Sequence, residues 1–543
     1  MRRIVCLAVL VGAAVAMSGA GPAGASSSSS SSSLRQVVAA HLRARWLSQG
    51  VQAWLNPPKP SDGGMPRSPG ASVSFGTNVD AADPNEDQLS GQAETAIAAS
   101  SSGRVMDDWN DATGFAFFAG NSLKASLTGV GYSTNSGKSF KDLVGLQNPN
   151  PDQQWSGDPS MVSIDGGAHF IAGSLYFPSF AACLDGKPAY ATIAVEVLTP
   201  TPFGTVDMGN PIIVSKSGNV CNLGFPNQDP NTALLDKDFL SWDQSSRTLV
   251  MSFARFYLTF SHTGQGEIDI ARAHVPADPT QLSAGSFHTI MVWPEQFEEN
   301  EGAYATVAPG GNTYVAWERN LDTNQFDNDP YIYEHIALVP AGATAPSIGG
   351  SSRPVVFTHG QVNSSPAGGV KSMDNTLIAG YNRGTGNDFP RIAWDAALGR
   401  VVVAWNDASA HPLGDIWLRT LGPGLQGPSP IRRANSDADF TLHFLPALSV
   451  RSNGAICTSW YDRRNSGPDS ALTDVYGECR SSVNTQAPDF RITTGATDWT
   501  NTSSLITPNF GDYTDSTSVG GRTYYTWSDG RIGVPQPFVD HRG

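Results

Sequence analysis

From residue 91 onward, apolar and polar residues alternate over short runs, the period-two signature of half-buried strands, and helical periodicity is nearly absent. The runs come in pairs. A polar or acidic opening leads into a short apolar strand, then a Gly/Asn/Ser turn, then a second apolar strand ending near a Trp and a charged residue. The unit reads AETAIAASSSGRVMDDWND (93–111), GDPSMVSIDGGAHFIAGSL (157–175), DKDFLSWDQSSRTLVMSFARF (236–256) and EGAYATVAPGGNTYVAWER (301–319). It continues as DFPRIAWDAALGRVVVAWND (388–407), FLPALSVRSNGAICTSWYDRR (444–464) and GDYTDSTSVGGRTYYTWSDGR (511–531), which makes seven copies. Trp109, Leu175, Phe253, Trp317, Trp405, Trp460 and Trp527 close the second strand at or within a residue of one repeat position. The 418 residues from Trp109 to Trp527 span six steps, roughly 70 per repeat, which suits a four-stranded blade with long loops.

A hairpin with two apolar faces cannot bury either face alone, whereas stacking such units around an axis buries both. The pattern therefore predicts an all-β chain: a single propeller of seven blades (six is the alternative), each of four antiparallel strands. A β-sandwich is the structural rival. Only residues 532–543 follow the last copy, so ASVSFGTNVD (71–80) is expected to supply the final blade's outer strand.

The N-terminal region reads differently. Arg2 and Arg3 precede an apolar run from Ile4 to Met17, and Ala23-Gly24-Ala25 fits a small-residue cleavage site, so 1–25 is read as a signal peptide. Residues 26–70 follow as a serine tether (Ser26 to Ser33), a short amphipathic helix (34–49) and a Pro/Gly/Ser linker, with the propeller from 71 to 543. No later stretch is long and apolar enough to span a membrane. The net charge of −15 disfavours nucleic acid and anionic membranes as partners. A secreted, soluble monomer is expected. With Cys6 lost in the signal, Cys183, Cys221, Cys457 and Cys479 suggest two disulfides; of three pairings, the sequence-local Cys183–Cys221 and Cys457–Cys479 is favoured.

Ser133-x-Asn135-x-Gly137-x-x-Phe140 resembles an Asp-box, the turn between outer strands in sialidase-like propellers, with Asn for Asp and Phe for Trp. The openings GDPSM, DKDF and GDYTD and the endings WND, WYDRR and WSDGR extend the resemblance to the bacterial-neuraminidase-repeat family over most of 91–531. The resemblance implies a propeller fold and an extracellular glycan as substrate or ligand. The Phe/Tyr-Arg-Ile-Pro stretch of sialidases is not found, DFPRIAW (388–394) only scrambling it, and seven repeats stand against their six blades. Both departures count against sialidase activity itself.

In a propeller the residues opening first strands and ending second strands meet at one face. The openers are Glu94, Asp158, Asp236 with Lys237 and Asp238, Glu301, Asp388 with Arg391, His443, and Asp512 with Tyr513. The enders are Asp111, Arg255, Glu318 with Arg319, Asp407, Asp462 with Arg463 and Arg464, and Asp529 with Arg531. Crowded carboxylates split their pKa values, giving one acid and one base, as glycoside cleavage needs. Asp158, Asp512, Glu301 and Asp388 are the catalytic candidates, and Tyr513 is one because a tyrosine nucleophile is the sialidase exception. Glu94, Asp236, Arg255, Arg319, Arg391, His443, Arg463 and Arg531 are the candidate substrate-binding groups, the arginine forks suiting an acidic sugar. A glycoside hydrolase or lyase is thus the leading reading, and a non-catalytic glycan-binding or adhesion propeller the alternative; a purely structural surface protein comes third. No HExxH, phosphate loop or GxSxG elbow is present. No cofactor is expected, an axial Ca²⁺ being the one ion the carboxylates invite.

Overall fold

The computed structural model describes residues 74–543 apart from 85–90, 115–125, 151, 179–187, 221–230, 258–265, 295–298, 321–330, 345–357, 364–369, 372, 374–375, 411, 438–440 and 468. The expected signal segment, serine tether, 34–49 helix and linker lie outside the described residues, as do Cys183 and Cys221.

Seven antiparallel sheets follow one another along the chain. Their first strands are Gln92–Ala99, Ser160–Ile164, Ala233–Asp243, Glu299–Val307, Arg391–Asp395, His443–Val450 and Asp515–Val519, opening blades 1 to 7. Each first strand packs against the first strand of the next blade, and that of blade 7 returns to that of blade 1. The chain is a closed seven-bladed propeller. A sandwich has no such cyclic order.

The repeat positions explain the packing. Trp109, Trp317, Trp405, Trp460 and Trp527 are almost completely buried, each on the second strand of its blade. In blade 2 the equivalent place belongs to Ser174, one residue before Leu175, because Ser160 rather than Met161 faces Gly173. The apolar clusters lie between blades; one holds Trp109 with Tyr524 and Val539 of blade 7, another Trp405 with Tyr304 of blade 4. Large apolar side chains thus fill the wedges between sheets, where each sheet hides both faces.

The ring closes on its N-terminal segment. Residues Gln536–Arg542 form a third strand of blade 7, and Asn78–Asp80 adds beside it, Val79 facing Val539. Asn78 Nδ2 donates to Ile492 O (3.0 Å) and Asp540 Oδ2 (3.1 Å), tying blades 6 and 7 to the same segment. The expected outer strand is therefore supplied as foreseen. In blade 1 the Ser133–Phe140 turn joins the third and fourth strands: Gly137 N donates to Ser133 Oγ (3.0 Å) and Ser139 N to Asn135 Oδ1 (3.1 Å). Gly137 has φ 77°, which favours glycine, and Phe140 is buried against blade 7. Cys457 and Cys479 stand directly opposite on neighbouring strands of blade 6 and are disulfide-bonded. Among the described residues no helix is long and apolar enough to cross a membrane.

One irregularity positions the site. Pairing between first and second strands shifts between Ala93 and Ala96, Asp236 and Phe239, Glu301 and Tyr304, and Phe444 and Ala447. The residue inside each bulge has a left-handed backbone: Glu94 (φ 54°), Lys237 (φ 54°), Gly302 (φ 62°) and Leu445 (φ 50°); Asp158 (φ 56°) matches them in blade 2. A bulge turns a side chain out of the sheet's alternation. For non-glycine residues that backbone costs about 1–3 kcal/mol, so surrounding contacts must hold it.

Candidate functional site

The three strained polar residues converge on the axis. Asn110, near the end of blade 1's second strand, clamps two of them: its Nδ2 donates to Glu94 Oε2 and its Oδ1 accepts from Asp158 N (2.7 Å). Asp158 Oδ2 in turn accepts from Lys237 N (3.2 Å). Lys237 reaches across the axis, its Nζ donating to Asp512 of blade 7 and standing 4.0 Å from Glu94 Oε1. Asp512 N donates to Glu94 Oε1 (3.0 Å), and its carboxylate accepts from Arg383 of the blade 4–5 connection. Residues 94, 158, 237, 383 and 512 thus form one ion cluster built from five places in the chain.

Environment divides the carboxyls by charge. Burial pushes Glu94 up to about 7, against the pull of Lys237 and with a further push from Asp512. Burial, then the neighbouring Glu94, also holds Asp158 well above the carboxylate range. Burial would raise Asp512 too, but Arg383 and Lys237 outweigh it and hold it below its ordinary value. Among the described residues Asp158 Oδ1 has no hydrogen-bond donor. The Glu94 and Asp158 carboxyls act on one another, and burial disfavours the charged form of both. The cluster therefore contains an ionised Asp512, two cations, Glu94 pushed up to about 7 and an Asp158 whose charged form burial disfavours.

Beneath the cluster the hub is filled. Tyr513 OH donates to Pro159 O across the axis (3.0 Å), and burial, followed by Asp158 and Glu94, keeps the phenol protonated far above its ordinary pKa. A tyrosine whose proton is committed to a carbonyl is a poor nucleophile, contrary to the role expected for Tyr513. One step deeper, the Arg391 guanidinium lies 3.9 Å over the Tyr304 ring and 5.5 Å from that of Tyr513, with Nε donating to Pro446 O (3.1 Å). Arg391 is thus an axial plug rather than a surface sugar ligand.

Glu301 and Asp388 belong to a second group of buried acidic side chains, at the blade 4–5 junction. Glu301, Glu318 and Glu334 stand directly opposite one another on three adjacent strands, and Asp388 N donates to Glu318 Oε2 (3.2 Å). The Asp388 carboxylate accepts from Met373 N (2.8 Å) and Asn406 Nδ2 (3.1 Å). Burial, then Glu318, raises Glu334 well above its usual range. Asp236 lies at the hub's edge, its Oδ1 accepting from Lys237 N (3.0 Å).

The second-strand enders do not rim a mouth. Asp111, Asp407, Asp462 and Asp529 each accept from the backbone N–H two residues on, capping the turn that follows. In blades 5, 6 and 7 the same carboxylate takes the indole N–H of Trp405, Trp460 or Trp527 (2.8–2.9 Å). Trp-x-Asp is a structural latch. The arginines stay in separate blades: Arg255 on Asp269 (2.9 Å), Arg319 over Trp293, Arg463 on Thr473 and Ala379, and Arg531 on Asp529. Burial lowers Arg463 to about 10. His443 is held by Gly414 and Asp437 at the blade 5–6 junction, away from the hub cluster. Burial alone would lower its pKa, but Asp437 and Asp462 raise it. The expected arginine-lined mouth is therefore replaced by a buried cluster served by Arg383 and Lys237. Arg383 and Asn110 were missed because neither opens nor ends a repeat in the required register.

No family model matches the chain, and no curated protein matches it either. Among solved structures it is similar to a GH93 α-L-arabinofuranosidase of Fusarium graminearum complexed with arabinobiose: 9% identity, 86% of this chain, 97% of that chain, TM-score 0.40. It is also similar to a Penicillium chrysogenum α-L-arabinanase complexed with arabinobiose, at 9% identity, 79% and 99% coverage, and TM-score 0.41. A third is Trypanosoma rangeli sialidase with the inhibitor DANA, at 10% identity and TM-score 0.35, covering 71% of this chain and 54% of that one.

Proposed function

We propose that this chain is a secreted glycoside hydrolase acting on an acidic extracellular glycan at the propeller hub. The supporting observation is the split among three neighbouring carboxyls: Glu94 raised to about 7, Asp158 raised with it, and Asp512 held ionised by Arg383 and Lys237. Such a split provides an acid and a base in one site at neutral pH. In this reading Glu94 and Asp158 move the proton to the glycosidic oxygen and from the attacking water. Arg383 and Lys237 orient the pair and draw in an anionic sugar. Export is supported by the N-terminal signal pattern and the Cys457–Cys479 disulfide.

A second reading has its own observation. The Glu94 and Asp512 side chains are 0% exposed and those of Lys237 and Arg383 are 3% and 2%. A cluster so covered serves equally as an ionic staple in a non-catalytic binding propeller. A panel of uronic, sialic and neutral glycosides separates the two. Turnover by wild type, abolished in Asp158→Asn with unchanged melting, supports the enzyme. Binding without cleavage gives the module, and neither binding nor cleavage leaves a structural hub. An unsaturated product would convert hydrolase into lyase.

A further inference from the structure

The blade 5–6 junction carries a cluster the hub does not use. His443 opens the first strand of blade 6, opposite Asp462 at the end of the second, and the preceding connection lays Asp437 against both. We propose that His443 Nε2, Asp437 and Asp462 form a binding site for a divalent transition metal of the Zn²⁺, Co²⁺ or Mn²⁺ type.

The geometry comes first. One ligand atom from each residue lies within 4.8 Å of the others, the span that metal–ligand bonds of about 2.0–2.4 Å can bridge. His443 Nε2 is 3.0 Å from Asp437 Oδ1 and 3.5 Å from Asp462 Oδ2. The far side of the imidazole is already fixed: Nδ1 donates to Gly414 O (3.1 Å), so Nε2 faces the carboxylates, where it donates to Asp437 Oδ2 (3.1 Å) in a bond that an ion would replace. The carboxylates have supports of their own. Asn435 Nδ2 donates to Asp437 Oδ1 (3.1 Å) and Asp415 Oδ1 (2.8 Å), and Trp460 Nε1 donates to Asp462 Oδ2 (2.8 Å). Ligands oriented from behind in this way are what a metal site requires.

Charge and access agree. Four carboxylates meet here, Asp415, Asp437, Asp462 and Asp489, against the guanidiniums of Arg433 and Arg464. With neutral His443 those six groups carry 4 negative and 2 positive charges, an excess that one dication cancels. Asp437 and Arg464 are 11% and 16% exposed while His443 and Asp462 are fully buried, so an ion enters from the Asp437 side. One nitrogen and two oxygens suit Zn²⁺, Co²⁺ or Mn²⁺ better than Ca²⁺, which prefers oxygen alone.

The competitor is Arg464. Its Nη2 lies 2.6 Å from Asp462 Oδ2 and 3.4 Å from Asp437 Oδ1, in part of the ion's place. Its Nη1 bonds Asp489 (2.8 Å) and its Nε bonds Asp462 Oδ1 (3.0 Å), so the guanidinium stays anchored when Nη2 yields. Where His443 is protonated, binding releases that one proton to water.

Cobalt titration of the chelator-treated full chain tests the site, read by visible d–d absorption and calorimetric stoichiometry. One Co²⁺ per chain is expected, with affinity at least about tenfold lower in Asp437→Asn, a partly exposed loop position, and no saturable binding in His443→Gln. Arg464→Gln should bind more tightly, because the competing cation is gone. No d–d bands, or binding indifferent to Asp437→Asn, overturns the proposal and leaves a proton-held latch between blades 5 and 6.

Discussion

Replacing Lys237 with methionine removes one ammonium from the hub and keeps most of its buried stem. The Nζ donates to Asp512 and stands 4.0 Å from Glu94 Oε1, with Asp158 and Asp236 also acting on it. A unit pair at that distance is worth about 4 kcal/mol at an effective dielectric of about 20. Breaking a buried pair by deleting one partner costs about 3–5 kcal/mol. Arg383 still holds Asp512, and Glu94 and Asp158 can each take a proton, so a loss of about 3 kcal/mol is expected for Lys237→Met. Asp512→Asn alone takes the nearest carboxylate from both cations and should cost a similar amount. The double variant should lose less than the sum, with a coupling of about 1.5–3 kcal/mol. Urea unfolding at pH 7, followed by tryptophan fluorescence, gives all four corners. A Lys237→Met protein within about 1 kcal/mol of wild type, or an additive cycle, would refute the assignment of the hub as a coupled ion cluster.

Three further outcomes follow from the ring. Val79→Asp puts a charge where Val79, 5% exposed, faces Val539, and should strip hydrogen-exchange protection from residues 536–542 while blades 3 and 4 keep theirs. Opening the Cys457–Cys479 bond by double serine substitution should cost about 3 kcal/mol for a closed loop of 22 residues, read as a lower urea midpoint. Asp107 and Asp108 are fully buried carboxyls close to Asp515, with Asp238 also acting on Asp108, and burial raises both well above the carboxylate range. If an axial Ca²⁺ satisfies them, melting is higher in calcium than in chelator and the difference vanishes in Asp108→Asn; identical melting in both means they are held protonated.

The fold was legible because its signals are local and repeated. Seven like hairpins, five of them with a Trp at one register position, announce seven blades, and Asn78–Asp80 completes the last as the pattern foretells. Convergence at one face was also legible for Glu94, Asp158, Asp236, Lys237 and Asp512, since first-strand openers must meet at the hub. Which openers touch was not. That depends on the left-handed backbones of Glu94, Asp158 and Lys237, the first and last inside bulges, which the hydrophobic pattern of the hairpins does not mark. Arg255, Arg319, Arg463 and Arg531 resemble sugar ligands in sequence because the same residue type serves ion pairs (Arg255, Arg531), ring stacking (Arg319) and backbone carbonyls (Arg463). Arg383 sits in a connection outside every copy, where periodicity has nothing to say.

Glu94 offers the most direct check on the hub. Its folded pKa of about 7 lies above the ordinary carboxyl value of 4.5, so the folded state binds the extra proton between those pH values. Its contribution to stability is complete below pH 4.5 and is lost as the pH rises through about 7, a fall of about 3 kcal/mol by proton linkage. Carbon-13 NMR of labelled Glu and Asp carboxyls reads the titration without assuming any substrate. The account predicts a carboxyl midpoint near 7 that disappears in Glu94→Gln. Glu94 titrating below about 5, as an ordinary surface carboxylate does, would contradict it.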